Sequence, residues 1–300
     1  MASRLTAGII KDYAVYWLQM FNKHSNTAIR LFPEFVITKS TKARVGDSVR
    51  IKIPRIIPLM QDWNPLTDRP MEDKLPPFDH TNLIVKKGIG SEYGVEDLMD
   101  DMLGTRGDLE AFARQAREFV PLEVLKMIGL GAGTTKGVCF DGKALFANDH
   151  DYGGVALDNL KLADLNTAGL ADALAHFSTI KDEKGEIMGI EPKYLMYSPF
   201  LNEKALKTLN ATIISNTTNI FEKALIPVEN PYLPATAWCV LASKKPNTAV
   251  ISYVQKDFIQ NPQKDEITAM FKREAVYFGA KVEYGLAYLD FRLALYYTTS

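Results

Sequence analysis

A glycine-rich stretch, Gly129–Gly142 (GLGAGTTKGVCFDG), contains the residue types of a phosphate-binding loop. Such a loop aims backbone N–H groups at phosphate from the start of a helix that follows the glycines. Here the helical spacing precedes the glycines. Lys136 is followed by Gly137 instead of Ser or Thr, and Thr134 occupies the position where a Rossmann fingerprint needs glycine. We therefore predict a loop that binds no nucleotide, with Gly129 in the left-handed conformation that ends helices.

A second candidate for chemistry is the stretch NDHDYGG, in which Asp149, His150 and Asp151 could ligate a metal or form an acid–base group. Adjacent loop residues seldom point at one centre, and Asn and Asp often bond their own backbone in turns. We interpret these three residues as turn residues. The remaining histidines do not follow metal-ligand spacing; they are His24, His80 and His176.

Ser91, within Gly88–Gly94 (GIGSEYG), lacks the spacing of a nucleophile elbow, and this stretch is interpreted as a turn. We expect no catalytic, cofactor-binding or metal-binding residues and therefore no enzyme. The opposing hypothesis is a nucleotide- or metal-dependent enzyme that uses the Gly129–Gly137 loop or the NDHDYGG cluster.

Composition narrows the class of protein. The chain has 300 residues, 47% of them hydrophobic and 24% charged, which is typical of a globular protein. The formal net charge of −1 disfavours a dedicated DNA-binding protein. No apolar run approaches the length of a membrane span, so we expect a cytoplasmic chain. Cys139 and Cys239 are interpreted as buried small hydrophobes, with a disulfide between them as the minor alternative.

The elements that must position these residues begin after an N-terminal arm, residues 1–44. Val49, Ile51 and Ile53 alternate with polar residues and predict a strand, whose partner follows at Thr81–Lys87. The long connection between them is rich in proline, so we predict a projecting two-stranded flap. Since a two-stranded ribbon is marginal alone, we expect the apolar side chains of the flap to be wet in an isolated subunit and covered by a neighbour's peripheral domain. They are Ile51, Ile53, Ile56, Ile57, Leu59 and Trp63.

A long helix follows, after a preliminary turn or short helix (GVEDLMDDML) and a break at Gly104 and Gly107. Its apolar positions recur every three or four residues: Leu109, Phe112, Ala113, Ala116, Val120, Val124, Leu125 and Ile128. Asn166 predicts the cap of a second helix, and Ser198-Pro199 predicts the start of a third. Short strand-like segments lie between and after these helices. The fold class is therefore α+β.

Particular segments of the sequence resemble the major capsid proteins of tailed phages, which have the Hong Kong 97 type fold. Two segments are similar to the Mu-like major head subunits: the helical segment ARQAREFVPLEVLKMIGLG and the following CFDGKALFANDHDYGG. The resemblance continues through EPKYLMYSPFLNEKAL, NIFEKALIPVENPYLPATAWCVLA and YFGAKVEYGLAYLDFRLALYY. The second of these segments is the most specific, and its matching residues are Cys139, Phe140, Asp141, Gly142, Phe146, Asp149 and His150.

The resemblance implies a division of the chain into domains. They are an N-terminal arm (1–44), an extended loop (45–90), a peripheral domain with a spine helix (91–154), an axial domain (155–243) and peripheral C-terminal strands (244–300). It also implies a function, namely self-assembly into hexamers and pentamers that form an icosahedral shell around double-stranded DNA. The alternative within the same fold is an encapsulin-like nanocompartment shell.

The implied partners are other copies of the chain, a separate scaffold protein, a maturation protease, a portal and, optionally, a decoration protein. Contact with packaged double-stranded DNA would be non-specific, and neither a cofactor nor a membrane is implied. The chain would reside in the virion, and in the host cytoplasm during assembly. Some relatives carry a cleaved coiled-coil scaffold before the flap. Since the flap here starts at about Val45, we expect either a separate scaffold protein or a chain that is already the mature form. Lys74 and Lys86 cannot be aligned with the lysine that some relatives cross-link.

Overall fold

The computed structural model describes residues 8, 11–20, 35–53, 78–100, 104–182, 185–211, 213–214, 217–218, 221–242, 250–262 and 275–299. Its helices are α1 (residues 11–20), α2 (Val95–Asp100), α3 (Thr105–Gly129), α4 (Thr167–Thr179) and α5 (Asn202–Asn210). Short 3₁₀ turns span Pro199–Leu201 and Phe291–Leu293. None of the helices in these ranges combines the length and the apolar character that crossing a membrane requires.

Fifteen strands accompany the helices in the described ranges. They are β1 (Val36–Ser40), β2 (Ser48–Ile53), β3 (Phe78–Leu83), β4 (Val85–Gly94), β5 (His150–Tyr152), β6 (Val155–Leu157), β7 (Leu160–Leu162), β8 (Pro192–Tyr197), β9 (Ile213–Ile214), β10 (Thr217–Thr218), β11 (Ile226–Glu229), β12 (Trp238–Ala242), β13 (Ile251–Pro262), β14 (Ala275–Tyr288) and β15 (Ala294–Thr298). The α+β prediction is confirmed.

Two sheets organise the described chain. The first has the order β1-β13-β14-β4, with β1 parallel to β13 and the other pairs antiparallel. The second has the order β11-β8-β12-β15-β7. The closing segment is divided between them, because β14 lies in the first sheet and β15 in the second. One continuous apolar core joins residues of both sheets with α3 and α4.

The long helix α3 packs its apolar stripe into this core, as its spacing predicts. Gly104 precedes it with a φ of 71°, so the predicted break there is confirmed, whereas Gly107 lies inside the helix and the break predicted at Gly107 is wrong. Asn166 caps α4 as predicted, because its Oδ1 accepts a hydrogen bond from Gly169 N at 2.9 Å. Ser198 precedes the next 3₁₀ turn without a side-chain cap bond.

Position 129, at the end of α3, is glycine for a different reason from the one predicted. It is the last helical residue and does not have a positive φ, so the left-handed interpretation is wrong. A Cβ built on Gly129 would lie 2.6 Å from the carbonyl oxygen of Tyr232. Glycine is therefore needed here because another part of the backbone approaches closely, and not because of its conformational freedom.

The two flap strands pair, but the partner strand lies earlier than the predicted Thr81–Lys87, because Val85–Lys87 belongs to β4 and pairs with β14. β2 and β3 are antiparallel, with Ile53 opposite Phe78 and Ser48 opposite Leu83. The connection, residues 54–77, lies outside the described residues. The predicted turn at Gly88–Gly94 is wrong, because this stretch belongs to β4 and pairs along its length with β14. The sequence around Ser91 was misleading because glycines in a strand resemble a turn when the partner strand is distant in sequence.

We predict opposite effects for alanine at two glycines of α3. Gly129→Ala should lower the free energy of unfolding by about 1–3 kcal/mol, since the new methyl group meets the Tyr232 backbone. Gly107→Ala should raise it by about 0.5–1 kcal/mol, because a Cβ there meets nothing within 4 Å. Denaturant unfolding of the soluble subunit followed by circular dichroism measures both. Equal effects would contradict the close-approach explanation.

Candidate functional site

Several backbone donors of the glycine loop after α3 are engaged within the chain. Leu130 N donates to Lys126 O, Gly131 N to Ile128 O, and Gly133 N to Leu130 O, at 3.0–3.1 Å. A phosphate cradle needs such N–H groups to be free and to converge. The loop lies at the C-terminal end of α3, where the helix dipole is negative and disfavours an anion.

The one lysine of this loop is paired with a carboxylate. Lys136 Nζ lies 3.0 Å from Glu123 Oε2, and Lys126 Nζ lies 2.8 Å from Glu123 Oε1. Burial would raise the pKa of Glu123, but its hydrogen bonds to the two lysines outweigh burial and lower it. The carboxylate is therefore ionised beside the loop and engages Lys136, so this lysine is not free to bind a phosphate. The geometry supports the prediction of a loop that binds no nucleotide.

The three residues of the NDHDYGG cluster point to different partners. Asp149 is exposed and pairs with Lys143, whose Nζ lies 2.9 Å from Asp149 Oδ2. Asp151 Oδ1 accepts a hydrogen bond from Gly154 N at 2.7 Å, which is the predicted turn contact. Among the residues that the structure describes, no group of His, Cys, Asp and Glu could hold a metal ion.

His150 is a core residue and not a turn residue, so its sequence interpretation is wrong. Its side chain is fully buried, and Nδ1 lies 2.6 Å from Asp141 Oδ2. Nε2 lies 3.1 Å from the carbonyl oxygen of Leu145. The ring stacks on Phe291, with centroids 3.9 Å apart and planes inclined by 7°. No local pattern could have indicated this contact, since Phe291 belongs to the closing segment of the chain.

A polar network around His150 joins the loop after α3 to the closing segment. Asn159 Nδ2 lies 2.9 Å from Leu145 O and 3.1 Å from Phe291 O, and Asn159 Oδ1 accepts from Ala147 N at 2.9 Å. The neighbouring ion pair is also buried, with Arg292 Nη2 2.7 Å from Asp290 Oδ2. Sequence reasoning missed Asn159 because a buried asparagine and a turn asparagine look alike.

Both cysteines are buried and free, so the disulfide alternative is wrong and the interpretation as small hydrophobes is confirmed. Burial raises the pKa of both thiols. For Cys139, the nearby carboxylates of Asp141 and Asp290 raise it further. Neither sulfur is suited to act as a thiolate nucleophile.

The base of the flap is part of the subunit core, which corrects the expectation that its isoleucines are wet. Ile51 and Ile53 are only 2% and 1% exposed, in a cluster with Ile84 and Leu289. Asn82 is also buried, and its Nδ2 lies 3.0 Å from Ser252 Oγ on β13. The alternation correctly indicated a strand with one apolar face, but not what that face contacts.

Phe78 anchors the returning flap strand through its ring. It stacks on Phe140 with centroids 4.5 Å apart, and Phe140 stacks on Phe291 at 5.1 Å. Because Phe291 also stacks on His150, four rings form a continuous column, Phe78–Phe140–Phe291–His150. We call this set the aromatic column. It connects the flap base to the buried Asp141–His150 pair.

Several apolar side chains remain exposed on the second sheet and its surroundings. Phe200 is 81% exposed, Leu162 on β7 is 72% exposed, and Ile226 on β11 is 47% exposed. Strands β7 and β11 are the two edges of this sheet, so apolar groups lie at both edges. Leu201, Ala205 and Leu209 recur every four residues and are buried, whereas Phe200 lies outside this spacing and is exposed.

We predict that neither the unaltered protein nor the Lys136→Ala variant binds nucleotide. The lost pair with Glu123 is partly exposed and should contribute at most about 1 kcal/mol to stability. Equilibrium dialysis or calorimetry with ATP and Mg²⁺ measures binding to both proteins. Saturable micromolar binding that this substitution abolishes would revive the nucleotide hypothesis.

We predict that His150→Ala lowers the free energy of unfolding by about 3 kcal/mol or more, because it leaves the Asp141 carboxylate buried without its partner. The matched control is Asp149→Ala, whose side chain is 67% exposed and should contribute less than about 1 kcal/mol. Thermal unfolding compares the two variants. Losses of similar size would contradict the buried role, and a stoichiometric transition metal lost from His150→Ala would indicate an enzyme.

Comparisons with known proteins give the fold and the family. The crystal structure of a virus-like particle from Pyrococcus furiosus matches with a TM-score of 0.55 and 13% identity, covering 95% of this chain and 99% of that chain. The capsid structure of the cyanophage P-SCSP1u matches with a TM-score of 0.53 and 11% identity, covering 90% and 86%. A structure from Mycobacterium phage Patience has a TM-score of 0.51 and 11% identity, covering 96% and 88%. At these identities the likeness shows the fold alone.

No curated protein sequence matches the chain. The family model described as phage capsid protein matches residues 83–295, which is more than two thirds of the chain. This range includes α3, the Asp141–His150 pair and most strands of the two sheets. The chain therefore belongs to the phage capsid protein family, and it is a major capsid protein with the Hong Kong 97 type fold, the subunit from which the shell is built.

Proposed function

We propose that this capsid protein assembles into hexamers and pentamers, which close into an icosahedral shell around double-stranded phage DNA. The observation that carries the proposal is the family match over residues 83–295. The near-zero formal net charge of −1 suits a container through which DNA must pass, since strong phosphate binding would hinder packaging.

The edges of the second sheet support a ring of head-to-tail contacts. One edge presents Ile226 on β11 and the other presents Leu162 on β7, both exposed. When one edge of a subunit meets the other edge of the next, the contact is heterologous and a rotation can close it into a ring. Both strands lie within residues 155–243, which we propose as the axial domain at the centre of a capsomer.

The remaining proposed domains are the N-terminal arm (1–44), the extended loop (45–90) and a peripheral domain built from residues 91–154 and 244–300. We propose that the chain catalyses no reaction. Its paired lysines and buried histidine have partners within the fold, which leaves them a structural role.

The proposed partners follow from the capsid role. They are other copies of the chain, a separate scaffold protein, a maturation protease, a portal and, optionally, a decoration protein. Packaged DNA would contact the shell non-specifically. Assembly would take place in the host cytoplasm before the subunit becomes part of the virion.

A nanocompartment shell enclosing protein cargo is the second candidate function. It is favoured by the virus-like particle from Pyrococcus furiosus, which is similar over 95% of this chain and 99% of that chain. The two candidates differ in what the particle encloses, and therefore in what copurifies with it.

We predict that the purified protein, produced with its neighbouring genes, forms closed particles in negative-stain microscopy. Nuclease-protected DNA of uniform length within the particles supports the phage shell, because a packaging machinery cuts and encloses a defined genome. Protein cargo without DNA would favour the nanocompartment. The absence of particles, tubes and capsomers under all assembly conditions would contradict both.

We predict that residues 54–77 act in assembly and not in folding of the subunit. Ile53 and Phe78 lie directly opposite each other, so a two-residue Asn-Gly turn can replace the connection and keep both strands. The shortened protein should unfold cooperatively with nearly unchanged stability, because Ile51, Ile53 and Phe78 remain in place. Microscopy and light scattering should show few capsomers and no closed shells.

A length-matched control for this deletion replaces residues 54–77 with a flexible Gly/Ser linker. It keeps the length of the connection but removes its apolar and proline residues, and it should also fail to assemble. Normal closed particles from the shortened protein, or its failure to fold, would contradict the proposed role of the extended loop.

A further inference from the structure

Strand β4 forms a long outer edge of the first sheet. In the order β1-β13-β14-β4 it has a neighbour on one side only among the described residues, and its 10 residues make it the longest edge strand that the structure describes. Its pairing with β14 runs from Val85 to Gly94 without a register shift, so no bulge turns the edge away. Such an edge presents a row of backbone N–H and C=O groups with which another strand can pair.

The middle of this edge is open to solvent. All residues from Lys86 to Gly90 are exposed, including Ile89 with 38% of its surface. At one end the edge meets Ile84, whose N–H and C=O bond to Asp47 O and Gly46 N of the flap base. At the other end it meets α2. The accessible edge is therefore β4 itself.

The sequence of β4 is complementary to a second copy of itself. Successive residues of a strand direct their N–H and C=O groups to opposite edges, so two antiparallel copies pair only in registers that place one residue opposite its own copy. With Ile89 in that position, Lys86 lies opposite Glu92 of the second copy, and by symmetry this pair of opposite charges forms twice. The overlap extends from Val85 to Tyr93 and so uses nearly the whole strand.

The neighbouring registers lack this match. A register centred on either Gly88 or Gly90 leaves Lys86 opposite a glycine. A register centred on Lys87 brings two lysines directly together, which is unfavourable. Charge therefore selects the register centred on Ile89, because the same lysines that discourage other pairings at an edge have a carboxylate to meet in this one.

On the outer face of the sheet, the ion pair continues a row of charges that the subunit already has. Glu283 on β14 lies opposite Lys86, so the lysine would stand between two carboxylates. Glu92 Oε1 accepts a hydrogen bond from the Tyr277 hydroxyl at 2.8 Å, and its second oxygen can accept from a lysine. The pairing would therefore add to these contacts and would not replace them.

On the face towards α3, the two copies of Ile89 would meet at the symmetry axis. Ile89 lines a groove of about 270 Å³ together with Ala116 and Phe119 of α3. Directly opposed residues of an antiparallel pair have Cβ atoms about 4.5–5.5 Å apart, so each isoleucine would cover the other. Apolar surface that is wet in the subunit would be buried in the pair.

We propose that the β4 edges of two copies pair antiparallel about a two-fold axis at Ile89 and join their first sheets into one continuous sheet. This inference rests on the proposed shell, which needs contacts between capsomers as well as within them. The head-to-tail contacts of the second sheet close a ring, and an isologous contact then joins one ring to the next. The partner of β4 is accordingly a subunit of a neighbouring capsomer.

Disulfide trapping across the axis tests the register. Both natural cysteines are buried, so Ile89→Cys supplies the accessible thiol. Opposed residues have Cα atoms about 4.5–5.5 Å apart, which a disulfide can span. Oxidised particles of this variant should give covalent dimers on a denaturing gel without reductant. Ser91→Cys is the control on the same face, because its two copies would lie about 13 Å apart along the strands and should not cross-link.

Charge reversal tests the ion pairs independently. Lys86→Glu opposes carboxylates twice across the axis, so the subunit concentration needed for closed particles should rise about tenfold or more while capsomers still form. Adding Glu92→Lys restores opposite charges and should recover assembly. Lys39→Glu makes the same change of charge at an exposed position of β1, on the far edge of the sheet, and should assemble normally.

The outcomes separate this contact from the shell itself. Closed particles of Ile89→Cys without covalent dimers would overturn the β4 contact and leave the shell standing, and the same result is expected if another segment, such as residues 54–77 of a neighbour, occupies the edge. Equal losses of assembly in Lys86→Glu and Lys39→Glu, or no recovery in the double variant, would also overturn it. If the unaltered protein forms no particles and Ile89→Cys forms no dimers, both the shell and the contact are contradicted.

Discussion

The structure depends on the pairing of β14 on both of its sides. This strand of 14 residues pairs with β13 along one edge and with β4 along the other. Its inward face, which includes Phe278, packs with Trp17 and Phe112 against α1 and α3. Tyr288 at its end donates a hydrogen bond to Met127 O at 2.7 Å and so ties the sheet to the long helix.

The direction of the flap follows from this pairing. β3 passes into β4 through the single residue Ile84, so the strand held by β14 also sets where the flap emerges. Gly285 on β14 allows the crossing, because a Cβ there would lie 2.9 Å from Leu83 O. The apolar face of the flap base then reaches Ile84 and Leu289 and becomes part of the subunit core.

The polar residues that most resembled a catalytic or binding site stabilise this framework instead. Lys136 neutralises Glu123 at the end of α3, and His150 pairs with Asp141 beneath the closing segment. A shell protein gains from such internal pairing, because exposed uncompensated charges would oppose the repeated contacts between copies. The apolar groups left exposed, above all Phe200, are then available for those contacts.

Periodicity along the sequence was sufficient for the elements whose pattern is local. It predicted the body of α3, the Asn166 cap, the pairing of β2 with β3 and the α+β class. The resemblance of the segment from Cys139 to His150 indicated the capsid protein family, which the family model matching residues 83–295 shows.

Tertiary structure alone decided the contacts between distant segments. Gly129 must be glycine because Tyr232 approaches it, Gly88–Gly94 is a strand because β14 pairs with it, and His150 is buried because Phe291 covers it. A local pattern records which face of an element is apolar and which residues favour a turn. It does not record which remote backbone or ring will lie against that face, since that depends on how the whole chain packs.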